Sequence, residues 1–165
     1  MIRLVFTSQG DPFQLLIRAG GLSSASHAAI GLGPNGELLL HAYEDGVLLE
    51  TREYWLGTLK QKLVAEYEIL PDVEDGLRQA LAQVGKRYDI FGAIKIGVLR
   101  ALDVFGSPVR SLGPDSKNAY TCAHFVMLLD PYGRRIPEWR LLNRATVIPG
   151  DLMRVAHGPS FRRLR

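Results

Sequence analysis

The sequence contains a single cysteine, Cys122, among 165 residues. One cysteine cannot form a disulfide within the chain, so a small disulfide-stapled scaffold is excluded. A large excess of one charge sign is also missing, because the chain has 20 Lys and Arg and 17 Asp and Glu, for a net charge of +3. Since 47% of the residues are hydrophobic, the chain can bury a core, and an intrinsically disordered protein is excluded.

Long apolar segments are absent as well. The longest stretch without a charged residue, 19–36, is rich in Ser and Gly and contains Pro and Asn, so we expect no membrane span. The first residues hold only a short apolar run, unlike a secretory signal. No repeat or linker interrupts the chain. We therefore expect one soluble, cytoplasmic domain over residues 1–165 with no nucleic-acid partner, and we interpret the basic residues 161–165 as a solvated tail.

The hydrophobic period changes near the middle of the chain, which indicates an α+β fold with an antiparallel sheet packed against helices. Alternation and turn residues predict strands over 2–7, 26–32, 37–43, 47–49 and 62–70, with a short helix or turn near residues 51–55. Helical spacing and caps predict helices over 12–19, with Asp11 as the cap, and over 73–84, 91–104 and 120–130. Residues 107–118 are predicted as a loop, followed late in the chain by a helical turn after Asp151 and an edge strand.

Two histidines lie on the two arms of a predicted β-hairpin, in which SHAAIGL and ELLLHAY flank the turn sequence GPNG. A register that sets His27 opposite His41 would pair Leu32 with Gly36 around a three-residue loop. Because side chains alternate between the two faces of a strand, this register places both imidazoles on one face. A two- or four-residue loop would instead set them on opposite faces, so the spacing permits a histidine pair without requiring one.

Cys122 follows the predicted loop and opens an apolar helix. The free N–H groups and positive end of a helix favour a thiolate, the form that acts as a nucleophile. A cysteine beside an imidazole whose tautomer a second polar group fixes is an arrangement for covalent acyl transfer. The three residues therefore suggest a thiol enzyme that needs no cofactor or metal.

Other interpretations of the same residues stay open. A lone cysteine on an apolar helix and a histidine in an apolar strand are commonly structural. Cys122, His27 and His41 are also residue types that ligate zinc, although no CxxC or HxxxH spacing accompanies them. His124 and His157 are expected to be structural or exposed.

The motifs nevertheless resemble a known family. SHAAIGLGPNGELLLHAY and YTCAHFVMLL resemble the two catalytic blocks of the circularly permuted NlpC-like branch of papain-fold cysteine hydrolases, in which the His precedes the Cys. His41 and Cys122-Ala123-His124-Phe125-Val126 are similar to the lecithin:retinol acyltransferase-like sub-branch. The segments 85–89 and 146–152 look more like the bacterial permuted peptidases.

Departures from the acyltransferase block favour the resemblance to the bacterial permuted peptidases. Thr121 and Ala123 stand where that block has Asn and Glu, and no hydrophobic anchor follows. The resemblance implies a single permuted papain-like domain, of bacterial or phage type, with Cys122 as nucleophile, His27 as general base and His41 as orienting residue. It further suggests Tyr88 as an oxyanion donor or cleft wall, with packing on the core as the alternative. Ser26, which precedes the catalytic His, is a substrate-binding or oxyanion candidate that we expect to support the strand rather than to react.

We therefore expect a cysteine peptidase or amidase that acts on cell-wall or other small peptides through an acyl-enzyme. One alternative is a thioesterase or acyltransferase on lipid or acyl esters, which predicts apolar walls around the cysteine. Another is a non-catalytic binding or assembly protein on the same fold, which predicts a cysteine sealed from solvent or out of hydrogen-bond reach of His27.

Overall fold

The computed structural model describes residues 1–10, 12–104, 119–144 and 146–165. Its strands are β1 (Ile2–Ser8), β2 (His27–Leu32), β3 (Leu38–Tyr43), β4 (Gly46–Thr51), β5 (Lys62–Ile69), β6 (Arg87–Tyr88), β7 (Ala119–Tyr120) and β8 (Phe161–Arg163). Its α-helices are α1 (Pro12–Gly21), α2 (Glu74–Leu81), α3 (Ile90–Val104), α4 (Cys122–Val126) and α5 (Pro149–Val155). The predicted mixed α+β class is confirmed.

A six-stranded antiparallel sheet organises the fold, with the order β4-β3-β2-β1-β5-β8. The predicted meander through β2, β3 and β4 is confirmed, because these consecutive strands pair as antiparallel neighbours. The predicted edge strand is β8, so the solvated tail predicted over 161–165 is wrong for residues 161–163. These residues pair with β5, and the Arg162 Nε donates to the Glu68 carboxylate at 2.8 Å.

The sheet is buried on both faces. One face packs Phe6, Ala28 and Ile30 against helical residues that include Ala123 and Phe125. The opposite face packs Val5, Ala29 and Leu39 against Trp55, which a π-helical turn over Tyr54–Thr58 supplies. We call these the helix face and the Trp55 face. Since side chains alternate along a strand, β2 residues of odd number belong to the Trp55 face.

The predicted helix over 120–130 is wrong at both ends. Tyr120 lies in β7 and pairs in parallel with Tyr88 of β6, and the helix begins only at Cys122. Thr121 sets this start, because its hydroxyl accepts the backbone N–H of His124 at 3.4 Å. The helix then tightens into a 3₁₀ turn over Met127–Leu129 before Pro131. Cys122 is therefore the first residue of a short helix.

Other boundaries shift by a few residues. The helix predicted over 73–84 is shorter and forms α2. Helix α5 begins at Pro149 rather than after Asp151. The Asp151 carboxylate caps this helix by accepting the N–H of Ile148 at 3.2 Å. The loop predicted over 107–118 and the cap predicted at Asp11 lie outside the described residues. None of the described helices is both long enough and apolar enough to cross a membrane.

Candidate active site

The histidine pair forms, but the register between its strands differs from the prediction. Leu32 pairs with Leu38 rather than with Gly36, so the loop covers residues 33–37. Gly33 and Gly36 both adopt positive φ, at 91° and 69°, which lets the chain make this wider turn. The shift is an even number of residues, so the two histidines still share one face, in diagonal rather than opposite positions.

A chain of side-chain hydrogen bonds crosses the three strands of the meander. The Nε2 of His27 lies 3.1 Å from the Nδ1 of His41. The Nε2 of His41 lies 3.1 Å from the Glu50 Oε2 on β4. Both histidines are buried, while Glu50 keeps about a fifth of its side chain exposed. The sheet thus holds a His27–His41–Glu50 chain with its carboxylate end toward solvent.

Aromatic rings enclose this chain on the Trp55 face. The Trp55 ring centroid lies 5.0 Å from that of His27, 4.3 Å from that of His41 and 4.8 Å from that of Tyr43. Burial lowers the pKa of His41 to about 4, and burial together with the charge of His41 holds the pKa of His27 well below its usual value. Both imidazoles are therefore neutral at pH 7.

Cys122, the first residue of α4, lies against β2 on the helix face. It is 3% exposed, and its sulfur is held by the backbone N–H of Ala28, the residue after His27, and by the Tyr88 hydroxyl. The hydrogen bonds of the described residues do not join this sulfur to either imidazole. The structure therefore brings His27 and His41 together but leaves Cys122 buried and outside their hydrogen-bonded chain, which is the arrangement expected of the non-catalytic alternative.

The expected thiolate at the helix start is wrong for this resting state. Burial raises the pKa of the Cys122 thiol to about 11, although the N–H groups of Ala28, Ala123 and Cys122 itself and the Tyr88 hydroxyl oppose the rise. Desolvation outweighs these donors because an anion loses its whole hydration shell on burial. Cys122 therefore rests as a neutral thiol.

Alkylation should report this raised pKa. We expect the rate of native Cys122 with iodoacetamide to keep rising from pH 8 to pH 10, because only the thiolate reacts. At pH 8 the native rate should be about 100-fold below that of the urea-unfolded chain, since the pKa moves from 9.0 to about 11. A rate that levels off below pH 8 in the native protein would contradict a neutral resting thiol.

A narrow crevice leads to the sulfur. It offers about 10 Å³ to water, which is roughly the space of one molecule. Beyond Tyr88, Thr121 and Ala123, its walls are apolar: Ile17, Ala93, Ile96, Val147, Ile148 and Pro149. In this form the crevice admits a small group and presents it with little polar surface.

Of the remaining predicted residues, one contacts the Cys122 sulfur and the others do not. Tyr88 touches the sulfur, and burial followed by the charge of Cys122 raises the pKa of its hydroxyl, so this group is a donor at neutral pH. Ser26 is buried and its hydroxyl donates to Gln14, as expected for a residue that supports the strand. His124 contacts the carbonyl of Arg144, and His157 lies 3.4 Å from the Tyr67 hydroxyl, so both stand apart from the pair.

Sequence reasoning missed Glu50, which completes the hydrogen-bonded chain. Its signal was available, because Glu50 lies on the third strand of the meander with the parity that reaches the face of His41. The zinc interpretation has no matching geometry in residues 1–10, 12–104, 119–144 and 146–165, where no three His, Cys, Asp or Glu side chains are grouped to hold a metal ion.

The chain was also compared with known proteins. No protein-family model matches it, and it has no match among the curated proteins.

Proposed function

We propose that this protein is a thiol hydrolase of the peptidase or amidase type that acts through an acyl-enzyme on Cys122. The observation that carries the proposal is the position of the buried His27–His41–Glu50 chain, which ends one residue along β2 from the N–H group that holds the Cys122 sulfur. The proposed base and orienting group thus lie on neighbouring strands of the sheet, and the proposed nucleophile opens α4, whose first residue bonds to β2 at Ala28.

In the proposed reaction the neutral His27 accepts the thiol proton while the sulfur attacks the carbonyl carbon of an amide. The tetrahedral oxyanion accepts hydrogen bonds from the backbone N–H of Cys122 and from the Tyr88 hydroxyl. The C–N bond then breaks and the amine leaves with the proton held by His27. Water, deprotonated by His27, attacks the thioester, and the sulfur leaves and recovers a proton.

A neutral thiol and a neutral imidazole suit this sequence of steps. The proton moves only when the sulfur attacks, so no preformed ion pair is required. The reaction does require the sulfur and the free nitrogen of His27 to meet, and catalytic hydrogen bonds often tighten only when substrate binds. His27 packs on Trp55 while α4 packs on the opposite face of β2, so this meeting requires a movement of the site when substrate binds.

A trapping experiment tests the proposal. Because Cys122 is the only cysteine, a thioester adduct can form at no other residue. Incubation with p-nitrophenyl acetate at pH 7.5 should add one acetyl group to the native protein, seen by intact-mass measurement, and hydroxylamine should remove it. Cys122→Ser should show no hydroxylamine-labile adduct. A native protein that gains no such adduct and cleaves neither peptide nor ester substrates would overturn the proposal and favour the non-catalytic alternative.

The apolar walls of the crevice favour a second candidate, a thioesterase or acyltransferase on acyl esters. Residues such as Ile17, Ile96 and Ile148 would contact an acyl chain and offer nothing to a peptide carboxylate. The two candidates share the chemistry at Cys122 and differ in the acyl group. A series of p-nitrophenyl esters from acetyl to octanoyl separates them, because kcat/KM rises with chain length only if the walls bind the chain.

A further inference from the structure

We infer that Glu50 is a positioning residue that fixes the tautomers of both imidazoles. Its carboxylate accepts a hydrogen bond from His41, which leaves Nδ1 of His27 as the free basic nitrogen of the pair. The inference rests on the proposed function for its catalytic consequence, but the tautomers themselves can be observed without any substrate.

The strand register explains how Glu50 reaches His41. On the β3–β4 ladder Leu48 lies directly across from His41, and Glu50 lies across from Leu39. Glu50 is therefore the diagonal neighbour of His41 on the Trp55 face, a distance that a long side chain can bridge. The resulting contact is 3.1 Å from the Glu50 Oε2 to the His41 Nε2.

Donor and acceptor rules then determine each nitrogen in turn. A carboxylate only accepts, so the His41 Nε2 carries a hydrogen. His41 is neutral, so its Nδ1 has a lone pair and accepts from His27, whose Nε2 must carry a hydrogen. His27 is neutral as well, so its proton is committed to His41 and its Nδ1 is bare. The Glu50 carboxylate thus determines, through His41, that the Nδ1 of His27 carries no hydrogen.

The alternative hydrogen-bond direction has a different outcome. If His41 carried its hydrogen on Nδ1, it would donate to the Nε2 of His27, and the free nitrogen of His27 would be protonated. That form of His27 cannot accept a proton from a thiol. Burial and the charge of Asp45 raise the pKa of Glu50, and only its ionised form excludes this direction, because a carboxylate cannot donate to the His41 Nε2.

Long-range ¹H–¹⁵N spectra of the full chain labelled on histidine nitrogen test the inference at pH 7. Both His27 and His41 should show hydrogen on Nε2 in the native protein. Glu50→Ala should give a mixture of tautomers at His41. Glu50→Gln, which still offers an amide oxygen, should remain closer to the native pattern, and the exposed Glu53→Ala should leave the spectrum unchanged.

Kinetics with p-nitrophenyl acetate give the second readout. Glu50→Ala should lower kcat roughly 10- to 100-fold with little change in KM, since a mispositioned base loses part of the 10²–10⁴-fold it supplies. Hydrogen on the His41 Nδ1 in the native protein, or tautomers that Glu50→Ala does not alter, would overturn the inference. The expected tautomers in a protein without Cys122-dependent turnover would support the assignment of Glu50 to the imidazoles and overturn the proposed function instead.

Discussion

Replacing His27 by Gln should lower the rate at which Cys122 is acylated by roughly 10²–10⁴-fold, the contribution of a positioned general base. The substitution is chosen because the Gln amide nitrogen reaches the place of the imidazole Nε2 and can still donate to His41. It removes only the second ring nitrogen, which we propose takes the thiol proton. The measurement is the initial burst of p-nitrophenolate with the acetyl ester at pH 7.5.

One variant and one test of folding serve as controls for this substitution. His157→Gln makes the same change at an exposed histidine that contacts Tyr67 on another part of the sheet, and it should retain the native rate. The far-ultraviolet spectrum and the denaturation midpoint of His27→Gln show whether the fold persists. The acylation of His27→Gln must also depend on Cys122, which adding Cys122→Ser to this variant shows. If the folded His27→Gln protein is then acylated within threefold of the native rate, His27 is excluded as the base.

Acid should destabilise the fold through the two buried histidines. Their pKa values are lower in the folded protein than the 6.5 of an unfolded histidine, so between these values the unfolded chain binds more protons. The free energy of unfolding therefore falls as the pH drops below 6.5 and levels off below the folded pKa. For His41, with a folded pKa of about 4, the loss between pH 7 and pH 4.5 is about 2.5 kcal/mol, and His27 adds to it.

Urea denaturation at pH 7 and pH 4.5 measures this loss. The matched protein carries His27→Gln together with His41→Gln, which removes both titrating rings and leaves every carboxylate in place. Its free energy of unfolding should depend less on pH than that of the native protein, by at least about 2.5 kcal/mol over this range. Equal pH dependence in the two proteins would show that the imidazoles are not held neutral by burial.

Much of the fold follows from local patterns. The meander β2–β4 was predictable because turn residues separate apolar runs, and α1 and α3 were predictable from their apolar periodicity and, for α1, from its Pro start. The start of α4 was less accurate. Tyr120 belongs to a two-residue pairing with Tyr88, a contact between distant segments that no local pattern encodes.

The candidate site shows the same division. Strand parity permitted His27 and His41 to share a face for one loop length, and the structure places them on one face although the loop is longer than that. The pKa of Cys122 could not be predicted, because the effect of the helix start is local while the desolvation comes from residues far apart in sequence that close over the sulfur. For the same reason the lone cysteine became a neutral thiol rather than the expected thiolate.

The sequence by itself determined the α+β class and the meander, because these depend on hydrophobic period and turn chemistry along local segments, and it permitted the pairing of two histidines on one face. Only the tertiary structure decided three further properties: that Glu50 completes the histidine chain, that Trp55 covers it, and that Cys122 approaches β2 beside Ala28 from the helix face. Each of these depends on how separate elements stack across the sheet, and packing between elements sets both the burial and the hydrogen-bond partners that determine protonation.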